Sequence, residues 1–171
     1  MMAVLITGAT GFVGTWLSKR LIEQGEKVHI LHRQGSRLDE LRGLDFVSAL
    51  GDITDAQSVH QACKDVDTVF HLAGVVGYSR AMRPLMEKVN VGGTRNIVSA
   101  LTGTSKRLVY MSSVVAVGAS FSPRALNEDS KYEIGHLNLG YFETKKQAED
   151  LVLAASRAGN LNATVVNPST I

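Results

Sequence analysis

The sequence predicts an α/β fold: a doubly wound parallel sheet between two layers of helices, which is a three-layer αβα architecture. Six short apolar segments alternate with four longer segments of helical periodicity along the 171 residues. Strands that are apolar along nearly their whole length are typical of a parallel sheet covered on both faces, and strand–helix–strand crossovers in such sheets are right-handed. Apolar residues make up 44% of the chain and charged residues 20%, as in a globular domain with a substantial core.

The predicted elements follow one another in the order that this fold requires. The strands are residues 4–6, 28–31, 46–49, 68–72, 108–111 and 164–166, and the helices are residues 12–24, 55–63, 84–101 and 141–158. Thr54 or Asp55 suits the N-cap of the helix that begins near residue 55, and Pro84 suits a first helical turn. Gly25 and Gly159 are placed just beyond helix ends, where a left-handed residue is common.

Charge and cysteine content exclude several classes of partner. The net charge of +2 is too small to favour nucleic acid or an anionic membrane. The single cysteine, Cys63, cannot form an internal disulfide, and we expect it to be a small core residue in a reducing compartment. No apolar stretch approaches the length of a membrane span, and the chain enters a strand at once without a signal-peptide pattern. These features favour a cytoplasmic protein, and no metal site is predicted.

A glycine-rich segment at residues 7–14 lies between the first strand and the first helix, which is where a dinucleotide-binding turn must lie. Gly8 would allow the tight turn, Gly11 close approach of the backbone to phosphate, and Gly14 close packing of helix on strand. The N–H groups at the helix start would then face a pyrophosphate. We therefore predict a Rossmann-type fold that binds NAD(P), with a plain glycine-rich turn as the alternative. The predicted contacts here are Gly8, Thr10, Gly11, Phe12, Val13 and Gly14.

The end of the second strand is expected to choose between NAD and NADP. An acidic residue there would bond the ribose hydroxyls of NAD, whereas a basic residue accommodates the 2′-phosphate of NADP. Arg33 stands about where the acid would lie, Arg37 follows it, and no carboxylate precedes Asp39 in this segment. Because a guanidinium matches phosphate oxygens, NADP(H) is favoured over NAD(H), with two solvated arginines as the alternative. Asp52 is expected either to accept a hydrogen bond from the adenine amino group or to close a turn.

The small residues that end the fourth strand would let a cofactor pass closely over the sheet. His71, which precedes them, is more often a satisfied core histidine than a catalytic one. The further cofactor contacts predicted after the third and fourth strands are Asp52, Ile53, Leu72, Ala73 and Gly74.

The last helix carries the residues predicted for proton transfer. Tyr141 and Lys145 are one helical turn apart, on the same face as Ala148, whereas Lys146 points away. A lysine on a buried face needs a partner, and an ammonium near a phenol would lower the tyrosine pKa from about 10. Tyr141 could then exchange a proton with a carbonyl or alcohol oxygen near neutral pH, and Lys145 could bind ribose hydroxyls. A packed tyrosine beside a snorkelling lysine is the alternative.

Polar residues elsewhere are expected to complete this site. One hydroxyl of the pair Ser112 and Ser113, which follows the fifth strand, would bond the substrate oxygen, and the other would bond the backbone. Asn90, followed by Gly92 and Gly93 within a predicted helix, would hold a relay water or bond the main chain. Residues 114–139, rich in Ser, Gly, Asn and Asp, predict a long functional loop.

Taken together, these residues resemble the extended short-chain dehydrogenase/reductase superfamily, in its NAD(P)-dependent epimerase/dehydratase group. The matching positions are residues 7–14, Asp52, residues 71–74, Asn90, Gly93, Thr94, Ser113, Tyr141, Lys145 and residues 167–169. The resemblance implies that Ser113 bonds the substrate oxygen, Tyr141 is the acid/base, Lys145 binds ribose, and Asn90 serves a proton relay. Arg33 and the ending at residues 165–170 look most like dihydroflavonol-4-reductase-like bacterial members, which reduce carbonyls with NADPH.

The resemblance also implies a longer enzyme. Family members continue into a smaller C-terminal domain that forms most of the substrate pocket, so residues 1–171 look like the NAD(P)-binding domain without that part. Helices like those that contain Asn90 and Tyr141 often pair in a homodimer in this superfamily, which the mixed apolar faces here allow.

Three functions therefore stand as hypotheses. The first is an NADP(H)-dependent reductase or dehydrogenase that acts on a small carbonyl or alcohol. The second is an NAD-dependent nucleotide-sugar epimerase or dehydratase, which would use the same residues in a transient oxidation. The third is a non-catalytic dinucleotide sensor, against which the presence of Ser113, Tyr141 and Lys145 together argues.

Overall fold

A computed structural model describes residues 2–169, so the two ends of the predicted 1–171 domain lie outside the described residues. The strands are β1 Ala3–Thr7, β2 Lys27–His32, β3 Val47–Leu50, β4 Thr68–His71, β5 Arg107–Met111 and β6 Asn162–Val166. The helices are α1 Phe12–Glu23, α2 Ala56–Ala62, α3 Arg83–Met86, α4 Thr94–Leu101, α5 Val114–Val117 and α6 Gly140–Arg157. All six predicted strands and the predicted helices over residues 12–24, 55–63 and 141–158 are confirmed.

The six strands form one parallel sheet in the order β3-β2-β1-β4-β5-β6. Side chains of each strand alternate between its two faces. In β1, Val4 and Ile6 pack on the α1 side, whereas Leu5 packs on the side that contains Ile97 of α4 and Val152 of α6. The sheet is therefore buried on both faces, and the predicted Rossmann-type, doubly wound, three-layer αβα fold is confirmed.

Helix ends follow the predicted signals. The Asp55 carboxylate accepts hydrogen bonds from the backbone N–H groups of Gln57 and Ser58, so Asp55 rather than Thr54 caps α2. Pro84 lies in the first turn of α3, and Gly25 and Gly159 follow helices with φ of 80° and 72°. No helix within residues 2–169 is long and apolar enough to span a membrane.

Two segments differ from their predictions. The predicted helix over residues 84–101 is interrupted by a π-helical segment, Glu87–Gly93, between α3 and α4. Its last residue packs tightly, since a Cβ on Gly93 would lie 2.8 Å from the Ile53 side chain. The predicted loop over residues 114–139 is not wholly irregular, because it begins with α5 and contains a 3-10 turn at Gly135–Leu137.

Candidate functional site

A cleft of about 640 Å³ lies at the carboxyl ends of β1 to β4, where the order of strands reverses. Open parallel sheets bind ligands at this position. Nine residues predicted to contact a cofactor line it: Gly8, Thr10, Gly11, Arg33, Asp52, Ile53, Leu72, Ala73 and Gly74. The structure therefore gathers four separate sequence segments into one cavity.

Gly8 and Gly14 show why the turn needs glycine. Gly8 has φ of +77°, and a Cβ there would lie 2.6 Å from the backbone nitrogen of Ala73. A Cβ on Gly14 would lie 2.2 Å from the carbonyl oxygen of Gly8. The turn is thus compressed between β4 and the start of α1, with the first-turn N–H groups of α1 at its end. This narrow backbone cradle fits a pyrophosphate, which backbone N–H groups bind.

The predicted contacts that do not line the cleft are Phe12, Val13, Gly14, Arg37 and Lys145. Gly14 lies behind the turn, and the Phe12 side chain is 70% exposed. The Arg37 side chain is 93% exposed, with its Nε 3.8 Å from a carboxylate oxygen of Asp39. For phosphate selection, the structure therefore places Arg33 at the cleft and Arg37 outside it.

Arg33 lies in a tight turn directly after β2. Its N–H donates to the Ser36 hydroxyl at 3.1 Å, and the Ser36 N–H donates to the Arg33 carbonyl at 3.1 Å. Ser36 lines the cleft as well, and so does Lys88 of the π-helical segment. Two side chains that the sequence analysis did not single out thus accompany Arg33, and both have groups suited to phosphate.

Asp52 closes a turn, which is one of the two roles that the sequence suggested for it. One carboxylate oxygen accepts the Thr54 N–H at 2.8 Å, and the Asp52 N–H donates to the Ser58 hydroxyl at 3.1 Å. Asp52 also lines the cleft. Because a carboxylate has two acceptor oxygens, the turn leaves acceptor capacity that faces a ligand.

Tyr141 and Ser113 meet across the start of α6. Burial raises the pKa of Tyr141 above its ordinary value, and the Ser113 hydroxyl beside it lowers this pKa by less. Our expectation of a lowered Tyr141 pKa was therefore wrong. Ser113 also caps α5, since its oxygen accepts the Val115 N–H at 3.3 Å. A hydroxyl that accepts this bond still has its own hydrogen to donate.

Lys145 is buried as predicted, with 6% of its surface exposed. Its ammonium donates to the Tyr110 hydroxyl at 3.1 Å and to the Met111 carbonyl at 2.8 Å. Burial lowers the pKa of Lys145 to about 8, while Glu149 raises it by less. The nitrogen is thus held by β5, which explains why it does not lower the Tyr141 pKa. Lys146 points away as expected and pairs with Asp150.

Asn90 bonds the main chain, which is one of the two roles considered for it. Its Oδ1 accepts the Val75 N–H at 2.7 Å, and its Nδ2 donates to the Val75 carbonyl at 3.0 Å and to the Thr144 hydroxyl at 3.1 Å. The Thr144 hydroxyl in turn donates to the Tyr141 carbonyl at 3.0 Å. Asn90 therefore joins the loop after β4, which lines the cleft, to the helical turn of Tyr141.

His71 is a satisfied core histidine, as predicted. The Thr94 hydroxyl donates to the Asn90 carbonyl at 2.6 Å, so its oxygen accepts from Nε2 of His71 at 3.0 Å. Nδ1 of His71 then accepts from the Thr7 hydroxyl at 2.7 Å, and the Thr7 oxygen accepts the Ala73 N–H at 3.3 Å. Burial lowers the pKa of His71 to about 3, which keeps this imidazole neutral.

Several residues of the site were missed by the sequence analysis. Tyr110, Thr144 and Glu149 are buried beside Lys145, and the Glu149 carboxylate accepts from Nδ2 of Asn167 at 2.7 Å. Ser112 was named in the sequence analysis and expected to bond the backbone beside a substrate-binding Ser113, but its buried hydroxyl has no hydrogen-bond partner within residues 2–169, so that expectation was wrong. Alternation along β5 puts Tyr110 and Ser112 on one face, which was the available signal.

Comparison with known proteins places this geometry in context. Residues 4–171 match the model of the "NAD dependent epimerase/dehydratase family". A "putative dihydroflavonol 4-reductase" of Synechocystis is 36% identical over 96% of this chain and 48% of its own length. The chain spans about half the length of such curated relatives.

Solved structures show the same fold. The crystal structure of gox2253 has a TM-score of 0.88 and 33% identity, and the match covers 99% of this chain and 52% of that one. A short-chain dehydrogenase/reductase superfamily protein from Agrobacterium tumefaciens with bound NAD has a TM-score of 0.78 and 26% identity, and the match covers 96% of this chain and 48% of that one.

Proposed function

This chain belongs to the NAD-dependent epimerase/dehydratase family of extended short-chain dehydrogenases/reductases, and from that premise we propose that it binds NADP(H) in preference to NAD(H) and reduces a small carbonyl substrate. The observation that carries the proposal is Arg33, which lines the cleft at the end of β2 where an acid would select NAD. The relative from Synechocystis named as a reductase supports the reaction class.

The protonation state of Tyr141 is compatible with a role as proton donor. Because its pKa is raised, this phenol holds its proton at neutral pH and is an acid rather than a base. Carbonyl reduction requires a proton on the substrate oxygen, which a protonated Tyr141 supplies. Tyr141 is therefore in the protonation state that reduction of a carbonyl requires at pH 7.

The residues of this chain divide the remaining work. When bound, the nicotinamide cofactor supplies the hydride. Tyr141 donates a proton to the carbonyl oxygen, and the hydroxyl hydrogen of Ser113 bonds the same oxygen as negative charge develops on it. Lys145 uses two ammonium hydrogens within the protein and has a third for ribose hydroxyls. Asn90 keeps the helical turn of Tyr141 at a constant distance from the cleft. The proton-relay role expected of Asn90 rests only on the resemblance of this chain to the family.

The proposal also concerns the longer protein, its location and its partners. We infer that it acts as the NAD(P)-binding domain of a longer enzyme, whose further residues form most of the substrate pocket. A cytoplasmic location, and a homodimer through the helices that contain Asn90 and Tyr141, are parts of the same proposal, as is the absence of nucleic-acid and membrane partners.

The test is a fluorescence titration of the chain with NADPH and with NADH. We expect tighter binding of NADPH, and we expect Arg33→Ala to weaken it by about tenfold or more while NADH binding stays unchanged, because a charge-assisted bond to the 2′-phosphate is lost. Arg42→Ala is the matched control, since Arg42 pairs with Asp39 outside the cleft. Preference for NADH, or indifference to Arg33, would contradict the NADP assignment.

A second candidate is a nucleotide-sugar epimerase or dehydratase with tightly bound NAD. The description of the matching family and the bound NAD of the Agrobacterium relative favour it. In that case the cofactor is regenerated in each cycle. Net oxidation of NADPH by added aldehydes or ketones separates the reductase from this candidate.

A further inference from the structure

The partner of the Lys145 ammonium is a tyrosine, but it is not the tyrosine of the helical pair. Two of the three ammonium hydrogens are donated to Tyr110 and to the Met111 carbonyl, at 3.1 and 2.8 Å. The same nitrogen lies 4.7 Å from the centroid of the Tyr110 ring, within the range of a cation–π contact. The charge therefore contacts Tyr110 at its hydroxyl end.

Tyr110 is held by the sheet and cannot follow a movement of α6. It lies on β5, between β4 and β6, and only 1% of its surface is exposed. Its ring centroid is 5.5 Å from that of His71 on β4. Because the ring is packed on all sides, its hydroxyl is a stationary acceptor, and the position of the Lys145 nitrogen is determined by β5 as well as by the helix that carries it.

The groups around Lys145 make its charge depend on the hydrogen bond to Tyr110. Glu149 of α6 favours the ammonium, burial disfavours it more strongly, and Tyr141 on the same helix and His71 on β4 are neutral at pH 7. A charge in such a site has little water to compensate for a lost partner. Removing one acceptor should therefore change both where the nitrogen points and how readily it holds its proton.

We propose that Tyr110 is a positioning residue of the catalytic site: its hydroxyl holds the Lys145 ammonium at the end of β5, so that the remaining hydrogen is directed to the cofactor. The part about the cofactor rests on the proposed function, whereas the coupling of Tyr110 to Lys145 does not. The competing explanation is that Lys145 merely satisfies a buried tyrosine hydroxyl.

The first experiment uses the unmodified protein without cofactor. Lysine labelled at 13Cε and tyrosine labelled at 13Cζ are followed by NMR between pH 6 and 11, with Lys145→Met to assign the lysine signal. We expect Lys145 to titrate near its lowered pKa of about 8, and the Tyr110 signal to move with the same midpoint. That movement should be absent in Lys145→Met. A Tyr110 signal that does not respond to the titration of Lys145 would overturn the proposal.

The second experiment removes only the hydroxyl. In Tyr110→Phe the ring and its packing stay, and we expect the pKa of Lys145 to fall by about one further pH unit because the ammonium loses an acceptor. The dissociation constant of NADPH at pH 7 should rise by about three- to tenfold. Tyr132→Phe is the matched control, since the Tyr132 hydroxyl bonds Glu143 in the first turn of α6 rather than Lys145.

The outcomes separate this proposal from the assignment of function. A lower melting temperature with unchanged Lys145 titration and unchanged NADPH binding would mean that Tyr110 only packs the core. A shifted Lys145 titration in a chain that binds no dinucleotide would uphold the coupling and contradict the proposed function. If Tyr110→Phe does not fold, the NMR titration of the unmodified protein decides.

Discussion

The two halves of the sheet build their share of the site from different materials. The half formed by β1 to β3 has an apolar core around Val4, Ile6, Val28 and Ile30, and it shapes the cleft largely with backbone and glycine. That half buries three polar side chains, Thr7, Thr15 and Ser18, whereas the half formed by β4 to β6 buries eight beside its apolar ones. The buried polar residues from β4 onward are Thr68, His71, Asn90, Thr94, Ser112, Thr144, Lys145 and Glu149.

Under the proposed function, this difference reflects what each half would hold. A pyrophosphate needs N–H groups and close approach, which a compressed turn provides without side chains. Proton transfer needs particular atoms at particular positions, and here Tyr141 and Lys145 come from α6 whereas Ser113 comes from the segment after β5. Such atoms stay in register only when side chains bond one another, as Asn90 bonds both Val75 and Thr144. Defects in the two halves should therefore have different signatures.

The largest effect is expected from the phenol of Tyr141. Tyr141→Phe should lower the rate of NADPH oxidation with a panel of aldehydes and ketones by about 10²- to 10⁴-fold, because the proton donor is lost. NADPH binding and the free energy of unfolding should change little, since the ring is only half-buried. A variant that keeps its rate would show that this half is scaffold and not catalytic machinery.

In the half of the sheet formed by β4 to β6, low pH should lower the free energy of unfolding because of His71. Its pKa is about 3 in the folded chain and about 6.5 when unfolded, so the unfolded state takes up the proton first as the pH falls. The free energy of unfolding should fall by about 3 kcal/mol from this group between pH 7 and pH 4. Urea denaturation at both pH values measures the difference. The loss of unfolding free energy between pH 7 and pH 4 should be smaller in His71→Gln than in the unmodified chain, by the amount that His71 contributes. In the control His60→Gln, which alters an exposed residue of α2, the loss should equal that of the unmodified chain. Equal losses in His71→Gln and in the unmodified chain would contradict the assignment.

In the half of the sheet formed by β1 to β3, added side-chain volume in the glycine-rich turn should be destabilising. Gly14→Ala places a methyl group 2.2 Å from the Gly8 carbonyl oxygen, so the turn must open. We expect the free energy of unfolding to fall by about 1 to 3 kcal/mol and NADPH binding to weaken. In the control Gly92→Ala the nearest atom is 3.7 Å away, and stability should be equal or higher by up to about 1 kcal/mol. Equal tolerance at both glycines would refute the compressed turn.

The smallest effect is expected from Arg37. Its side chain is 93% exposed and lies outside the cleft. Arg37→Ala should change the dissociation constant of NADPH by less than about fivefold, since an exposed ion pair contributes little. Titration beside Arg33→Ala makes the comparison direct. A loss as large as that of Arg33→Ala would show that the loop after β2 closes over the phosphate.

Prediction from the sequence succeeded where a feature depends on a local pattern and failed where it depends on contacts between elements. Glycine spacing in residues 7–14, the apolar strands and the cap at Asp55 are local patterns, and each is confirmed. The lowered Tyr141 pKa was wrong because it assumed that neighbours on a helix are partners. The π-helical segment was missed because no local pattern distinguishes it from an α-helix.

By itself the sequence determined the class of fold, the place of the glycine-rich turn and the burial of Lys145, because periodicity reports which face of an element is covered. Only the tertiary structure decided the order of strands, the neutral state of His71 and the partner of Lys145. Tyr110 precedes Lys145 by 35 positions, and no spacing rule connects a strand residue to a helix residue at that distance. A hydrogen bond depends on where two atoms meet in space, and that meeting is set by the packing of β5 against α6.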